Sequence, residues 1–247
     1  MKALIFAAGL GTRLRPITDT MPKALVPVAG VPMLERVLCK LRDSGIDSFV
    51  VNVHHFAEQI EAFLAGHDFG VSVAVSREER EPLETGGGIK HAAPLLASPE
   101  GRFLVHNADI LSDLDINWFL GQDAPENLAT LLLVDAPADR YLLFDEEMRL
   151  VGWTNVRTGE VKSPYLPDFD PAQYRRYSFC GIHVVSEAVF GKMAAWPEKF
   201  SVIDFYLSEC ATGLIRGVVA PDLHLIDIGS PEKLAEANRD FSYICNR

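Results

Sequence analysis

The sequence predicts an α/β fold: a three-layer sandwich in which helices cover both faces of a mixed, mostly parallel central sheet. Two observations support this prediction. Through about the first hundred residues, short apolar runs alternate with amphipathic helical patterns, as in parallel strands joined by crossover helices. After Asp113 the rhythm changes, and strand-like runs follow one another with only short polar breaks. We therefore expect both halves of the chain to contribute to one mixed sheet.

Each element is predicted from its hydrophobic period and its flanking residues. In the first half, strands are predicted at "KALIFAA", "SFVVNVHH", "VSVAVS" and "RFLVHNAD", and helices at "MLERVLCKLRDSG", "AEQIEAFLAG" and "GGIKHAAPLLAS". In the second half, strands are predicted at "NLATLLLVDAP", "RYLLFDEEMRLVGW", "YSFCGIHVV", "GLIRGVVA" and "LHLIDIG", and helices at "SEAVFGKMAAW", "FSVIDFYLSECA" and "SPEKLAEANRDFSYIC". Ser230 should cap the last helix, with Pro231 in its first turn. The stretch "TGEVKSPYLPDFDPAQ" is predicted to be a long loop.

Length and composition limit the class of protein. A chain of 247 residues without linkers or repeats is predicted to form one domain, residues 1–247, with no appended left-handed β-helix domain. Its formal charge of −11 disfavours nucleic-acid and acidic-membrane partners. With neither a membrane-spanning run nor a signal peptide, we expect a cytoplasmic protein. The four cysteines are widely spaced and are predicted to be reduced thiols rather than zinc ligands: Cys39, Cys180, Cys210 and Cys245.

A glycine-rich loop follows the first predicted strand, in "AAGLGTRLRPITDTMPKALVPVAG" (residues 7–30). Gly9 and Gly11 fit neither a Rossmann fingerprint nor a Walker A motif, and the second strand ends without the ribose-binding acid that an NAD-dependent oxidoreductase requires. Backbone N–H groups at such glycines can approach phosphate oxygens closely. The first 23 residues carry a local charge of +3, including Arg13 and Lys23. A forked and a compact cation on one loop indicate a triphosphate ligand.

The order of these motifs resembles that of the sugar-1-phosphate nucleotidylyltransferases, the NDP-sugar pyrophosphorylases. The resemblance rests on Gly9, Gly11, Thr12, Arg13, Pro16, Thr18, Pro22, Lys23 and Leu25, and continues in "VNVHHFAEQI", "EPLETGGGI", "HNAD", "FCGIHV", "FSVIDFYL" and "LIDIGSPEKL". It implies a Rossmann-like, glycosyltransferase-A-like fold and an enzyme that joins a nucleoside triphosphate to a sugar 1-phosphate. The N-terminal half would mainly bind the nucleotide and the C-terminal half the sugar phosphate. A monomer or a small homo-oligomer is expected.

The chemistry of nucleotidyl transfer assigns roles to particular residues. Arg13 and Lys23 are the predicted catalytic residues, because negative charge moves onto the leaving pyrophosphate. Asp109, at a predicted strand end, and Asp227, before a helix start, are the predicted ligands of a Mg²⁺ cofactor and match the family's metal-binding aspartates. The predicted nucleotide-binding residues are Ala8, Gly9, Gly11, Thr12, Arg13, Lys23, Glu84, Thr85 and Gly86.

The substrates are predicted less sharply than the reaction. Asn107, Gly152 and Gly181 are the candidate sugar-phosphate contacts, and Asp204 either lines the sugar pocket or caps a helix. The run "ETGGG" resembles that of the N-acetylmuramate-1-phosphate uridylyltransferases, which favours UTP with N-acetylmuramate 1-phosphate. Glu84 could equally accept hydrogen bonds from guanine, so GTP with mannose or heptose 1-phosphate is the alternative. A non-catalytic regulatory paralogue is a further alternative, disfavoured because all four charged site residues are present.

Overall fold

The computed structural model describes residues 1–245, with side chains up to residue 240. The thiol of Cys245, predicted to be reduced, lies outside the described side chains. Cys39, Cys180 and Cys210 are free thiols, as predicted. Burial raises the pKa of Cys180 to about 12 and that of Cys210 to about 11, so both thiols stay protonated near neutral pH. Within the described residues, no helix combines the length and apolar character that crossing a membrane requires.

The chain forms fourteen strands and seven helices over the described residues. The strands are β1 (Lys2–Phe6), β2 (Pro27–Val28), β3 (Val31–Pro32), β4 (Ser48–Val53), β5 (Ser72–Arg77), β6 (Arg102–Asn107), β7 (Ile110–Ser112), β8 (Ala129–Val134), β9 (Arg140–Phe144), β10 (Leu150–Asn155), β11 (Glu160–Lys162), β12 (Arg175–Ser186), β13 (Ile215–Val219) and β14 (Leu225–Asp227). The helices are α1 (Met33–Asp43), α2 (Ala57–Ala65), α3 (Glu84–Leu96), α4 (Ile116–Leu120), α5 (Ala188–Met193), α6 (Val202–Glu209) and α7 (Pro231–Cys245).

Ten of the strands form one mixed sheet. Its main path runs β11-β10-β9-β12-β6-β1-β4-β5, with β8 pairing β12 and β13 pairing β8. The pairings give eight strands one direction, whereas β10 and β12 run against them. The predicted α/β fold with a mixed, mostly parallel sheet is therefore confirmed.

Side chains alternate along β1 between two apolar layers, as the period of a strand requires. Ala3 and Ile5 pack in the cluster that contains Leu38 of α1 and Ile60 of α2. Leu4 points to the opposite face, into the cluster that contains Ile89 of α3. Helices thus cover the sheet on both faces, which explains why β1 is apolar from Ala3 to Phe6.

Several details differ from the sequence predictions, and β2, β3 and β7 were not predicted. The run "LHLIDIG" forms β14, which pairs with β7 in a separate two-stranded sheet instead of joining the main one. The predicted loop "TGEVKSPYLPDFDPAQ" contains β11, because Glu160–Lys162 pairs with β10, and a short 3-10 turn over Pro171–Gln173. Helix α4, capped by the Asp115 carboxylate, was not predicted. By contrast, Ser230 accepts a hydrogen bond from the Lys233 N–H at 3.4 Å, as its predicted capping role requires.

Candidate active site

The glycine-rich loop leaves the C-terminal end of β1 and passes through three short 3-10 turns. Gly11 takes a left-handed conformation with φ +63°, and a Cβ there would lie 2.9 Å from Thr18 Cγ2 and 3.1 Å from Lys23 Cβ. The Thr18 hydroxyl donates to the Gly11 carbonyl at 2.8 Å, which ties the loop back on itself. A Cβ at Gly9 would meet nothing within 4 Å. The two glycines therefore differ: Gly11 shapes the loop, and Gly9 leaves space beside the backbone.

Two cavities beside this loop form one cleft. The smaller, of about 230 Å³, is lined by predicted nucleotide residues, among them Ala8, Gly9, Lys23 and Glu84. The larger, of about 600 Å³, is lined by Arg13, Gly181 and Asp227 among others. Four residues line both cavities: Phe6, Thr85, Asn107 and Asp109. The structure thus brings most of the predicted site residues to one cleft, with Asp109 where its two parts meet. Gly11 and Thr12 belong to the loop but are not among the lining residues.

Strand pairing positions the two predicted metal ligands. Asp227 ends β14 and lies opposite Ile110 of β7, the residue after Asp109. The Ile228 N–H donates to the Asp109 carbonyl at 3.0 Å, so the two backbone segments are neighbours. The separate β7–β14 sheet is what brings these carboxylates, 118 positions apart in the sequence, to one cleft.

Each of these carboxylates is paired with a lysine. The Lys23 ammonium pairs with Asp109, and the Lys233 ammonium, from the first turns of α7, pairs with Asp227. Burial raises the pKa of Asp227, but the Lys233 hydrogen bond and charge, together with the Gly229 N–H and the charge of Lys23, outweigh it, so the net pKa lies below the usual value. Asp227 is therefore ionised near neutral pH.

Asp109 and Asp227 offer carboxylate oxygens, the type of ligand that Mg²⁺ prefers. No group of three or more His, Cys, Asp or Glu side chains in the described part of the chain could hold a metal by itself. Mg²⁺ in phosphoryl-transfer sites is commonly held by one or two carboxylates, with water and substrate phosphates supplying the other oxygens. Asp109 and Asp227 supply that number of hard oxygen ligands.

Arg13 projects toward the same edge of the cleft. A Cβ placed on Gly229 would lie 2.9 Å from the Arg13 guanidinium, so the missing side chain at Gly229 gives Arg13 its room. The guanidinium is exposed and makes no ion pair with any described carboxylate. It is therefore available for an anionic ligand at the larger cavity that it lines.

Gly181 and Asn107 are in close contact across β12 and β6. Gly181 has φ +78°, and a Cβ there would lie 2.1 Å from Asn107 Nδ2. The register of β12 against β8 is irregular between Phe179 and His183, on either side of this glycine. Gly181 is thus required for the position of Asn107, and both residues line the larger cavity.

Two further predicted ligand contacts, Gly86 and Gly152, do not line the cleft. Gly86 is buried in the first turn of α3, its N–H donates to the Phe200 carbonyl at 2.9 Å, and a Cβ would lie 2.4 Å from the Phe200 ring. Gly152 is buried beneath Phe169, and a Cβ there would lie 2.8 Å from the Phe169 ring. The space that these two glycines leave open is filled by phenylalanine rings of the protein rather than by a ligand, and neither glycine lines the cleft. The Thr85 hydroxyl also has a protein partner, because it accepts from the Val202 N–H at 3.0 Å.

Other cleft residues were not predicted. Glu78, almost fully buried, lines the smaller cavity and accepts from Asn52 Nδ2 and from the Leu83 N–H, both at 2.8 Å. This pair anchors the segment that leads to Glu84, which itself has a left-handed φ of +62°. Asn52 in the apolar run "SFVVNV" is a signal that could have been noticed, because a polar residue inside a buried strand needs a partner. Nothing local in "SREERE" distinguishes Glu78 from its solvated neighbours.

Comparison with known proteins agrees with this geometry. Residues 2–141 match the family model described as nucleotidyl transferase. The chain belongs to the nucleotidyl transferase family. The resemblance to the sugar-1-phosphate nucleotidylyltransferases inferred from the motifs is thereby confirmed.

Two relatives of this chain are both named N-acetylmuramate alpha-1-phosphate uridylyltransferase. The protein from Neisseria meningitidis serogroup B is 42% identical over 60% of this chain and 68% of its own length. The protein from Caulobacter vibrioides is 31% identical over 96% of both chains. A crystal structure of HddC from Yersinia pseudotuberculosis complexed with GMP-PN superposes with a TM-score of 0.74 at 24% identity, covering 97% of this chain and 99% of that one. At that identity the structural likeness concerns the fold alone.

Proposed function

We propose that this enzyme transfers a nucleotidyl group from a nucleoside triphosphate to a sugar 1-phosphate and releases pyrophosphate. The observation that carries the proposal is the continuity of the cleft. One cavity holds the open backbone at Gly9 together with Lys23, the other holds Arg13 and Gly181, and Asp109 lines both. A reaction between two phosphates needs such a place, where two anions meet between fixed cations.

The transfer is an in-line displacement at phosphorus. A phosphate oxygen of the sugar 1-phosphate attacks the α-phosphorus of the triphosphate, and the bond from that phosphorus to the pyrophosphate oxygen breaks. Negative charge moves onto the leaving pyrophosphate. The planar fork of Arg13 suits the β- and γ-phosphates, and the compact ammonium of Lys23 suits the α-phosphate and the incoming phosphate.

We further propose that Asp109 and Asp227 hold Mg²⁺. When bound, the ion would neutralise phosphate charge at the reacting centre. The paired lysines indicate that both carboxylates already lie beside positive charge. The same residues argue against the non-catalytic paralogue, because Arg13 and all of these charged groups reach the cleft.

UTP with N-acetylmuramate 1-phosphate is the proposed substrate pair, which implies a role in making a cell-wall precursor in the cytoplasm. Its support is the name that the two relatives share and the "ETGGG" run, whose Glu84 lies at the smaller cavity and can accept from the ring N–H of uracil. The same carboxylate can accept from the N1 and N2 donors of guanine. GTP with mannose or heptose 1-phosphate is therefore the alternative.

The test is a panel of the four nucleoside triphosphates against several sugar 1-phosphates, read by pyrophosphate release with Mg²⁺ present. We expect the highest kcat/KM with UTP and N-acetylmuramate 1-phosphate. A preference for GTP would replace the substrate pair but keep the reaction. Absence of pyrophosphate release from every pair, by protein whose folding is verified by circular dichroism, would refute the proposed activity.

A further inference from the structure

A polar groove opens beside the larger cavity of the cleft, where β9, β10 and β11 face the start of α6. Its volume is about 440 Å³. Phe179 and Ile203 line both this groove and the larger cavity, so the two spaces are neighbours across these side chains. A ligand in the cleft therefore needs only one extended substituent to reach the groove.

The floor of the groove is one face of three antiparallel strands. The register places Arg140, Asn155 and Glu160 in one cross-strand row and Leu142, Trp153 and Lys162 in the next. Because side chains alternate along a strand, all six project from the same face. Each of them lines the groove.

Two of the four charged side chains in the groove, Lys162 and Asp204, balance each other. Lys162 Nζ lies 2.9 Å from Asp204 Oδ1 and 5.3 Å from the centre of the Trp153 ring. Asp204 is thus a groove residue, and Ser201 is the cap of α6, because its hydroxyl accepts from the Ile203 N–H at 3.2 Å. The predicted helix-cap role of Asp204 is therefore wrong, and Asp204 lines this groove; its contact with a sugar stays a prediction. The Lys162–Asp204 pair leaves little net charge for a ligand.

Arg140 is the second cation of this groove. It is exposed and has no ion-pair partner among the described side chains. Glu160 shares its cross-strand row but lies two strands away, on β11, with Asn155 between them. Neighbouring strands are about 4.8 Å apart, and neither Arg140 nor Glu160 forms an ion pair among the described side chains. Because this guanidinium lies in a groove beside the cleft, it is available to an anionic group of a ligand bound there.

The position of Arg140 determines which anion it meets. Arg140 directly follows the loop 135–139, of which Ala136, Pro137 and Ala138 line the larger cavity. The cations and carboxylates proposed to hold the phosphates, Arg13 and Asp227 among them, are not part of the groove. The group that reaches Arg140 is therefore a ring substituent rather than the anomeric phosphate.

We propose that the groove binds a carboxylate carried by the sugar ring and that Arg140 recognises it. A planar guanidinium can hold a carboxylate through two parallel hydrogen bonds, and the Trp153 face beside it offers apolar surface to the rest of the substituent. The proposal rests on the proposed function and narrows its substrate class to acidic sugar 1-phosphates. Neutral sugar 1-phosphates would leave Arg140 unused.

The experiment compares two substrates that differ in the carboxylate. N-acetylmuramate 1-phosphate carries a lactyl ether that N-acetylglucosamine 1-phosphate lacks, and kcat/KM for each is measured at saturating UTP. We expect Arg140→Gln to lower kcat/KM for the acidic sugar at least about tenfold, as loss of a charge-assisted contact implies, and to leave the neutral one within about twofold. Arg140→Lys should recover part of the loss, because it restores the charge without the fork.

Arg157→Gln is the matched control. Arg157 is an exposed arginine on the turn after β10, 3.7 Å from Asp139, and does not line the groove. The substitution removes the same charge nearby, so it should leave the ratio of the two kcat/KM values unchanged. The inference is overturned if Arg140→Gln slows both substrates alike, if it slows neither, or if the wild-type enzyme does not prefer the acidic sugar. In those cases the proposed reaction stands. If no sugar 1-phosphate gives pyrophosphate release, both the proposed reaction and the role of Arg140 are refuted.

Discussion

Replacing Gly181 with alanine should show how far the activity depends on the shape of the cleft, since the change adds one methyl group and no charge. Gly181 combines two constraints: a left-handed φ of +78° and contact with Asn107, whose Nδ2 would lie 2.1 Å from the new Cβ. A left-handed conformation costs an alanine about 1–2 kcal/mol. Overpacking adds about 1–3 kcal/mol, because either the Asn107 amide or β12 must shift. We expect the free energy of unfolding to fall by about 2–5 kcal/mol.

The activity of Gly181→Ala should fall further than its stability explains. Asn107 is two residues from Asp109 and lines both parts of the cleft, so a shift of about 1 Å there should lower kcat/KM about 100-fold. The assays are urea unfolding followed by circular dichroism and steady-state pyrophosphate release. Asn107→Ala in the same background removes the collision but not the strained φ. The double variant should therefore recover at least about 1 kcal/mol relative to the sum of the single changes.

Gly191→Ala is the control for this experiment, because Gly191 lies inside α5 and a Cβ there would meet nothing within 4 Å. Alanine should raise stability there by up to about 1 kcal/mol, since it favours helix. A Gly181→Ala protein as stable as the wild type would refute the strain and contact reasoning. Additive effects of Gly181→Ala and Asn107→Ala would show that the loss does not come from their collision.

Three more predictions concern charge. Steady-state kinetics of Lys23→Ala should show a sharply lower kcat with little change in the KM for the triphosphate. Lys23→Arg should restore little of the lost kcat, because a planar guanidinium replaces a compact ammonium. A change in KM alone would make Lys23 a binding residue only. EDTA should nearly abolish turnover, and Asp109→Ala should nearly abolish both turnover and the Mg²⁺ binding measured by calorimetry. The control variant Asp19→Ala, on the exposed part of the loop, should preserve both. Full activity in EDTA would exclude the metal role. Burial lowers the pKa of His183 from 6.5 to about 3. Between these two pH values the unfolded chain binds one proton more than the folded chain. The free energy of unfolding should therefore fall as the pH drops below 6.5, by up to about 1.4 kcal/mol per pH unit. Urea unfolding at pH 7 and pH 5 should show a smaller pH effect in His183→Gln than in the wild type or in the exposed-site variant His67→Gln, and equal pH effects in all three would contradict it.

The fold class could be predicted from the sequence alone, and so could four charged residues that line the cleft: Arg13, Lys23, Asp109 and Asp227. Hydrophobic period is a local property, so the alternation of strands and helices could be predicted without knowing their partners. Gly11 was predictable as a loop residue for the same reason, because its left-handed conformation is a property of the backbone at that position. Asp109 follows a buried strand, and the ends of parallel strands meet at the ligand-bearing edge of a sheet. Motif order then connected these residues to Asp227.

The contacts of the glycines and of the buried polar groups could not be predicted from the sequence and became known only from the folded chain. Gly86, Gly152 and Gly181 were all predicted as ligand contacts. Gly86 and Gly152 pack against Phe200 and Phe169, whereas Gly181 faces Asn107 in the cleft. The Glu78–Asn52 hydrogen bond joins positions 26 residues apart. The groove beside Arg140 exists because the pairing of β9, β10 and β11 aligns its lining side chains on one face. Such contacts depend on which distant segments meet, and sequence period carries no information about that.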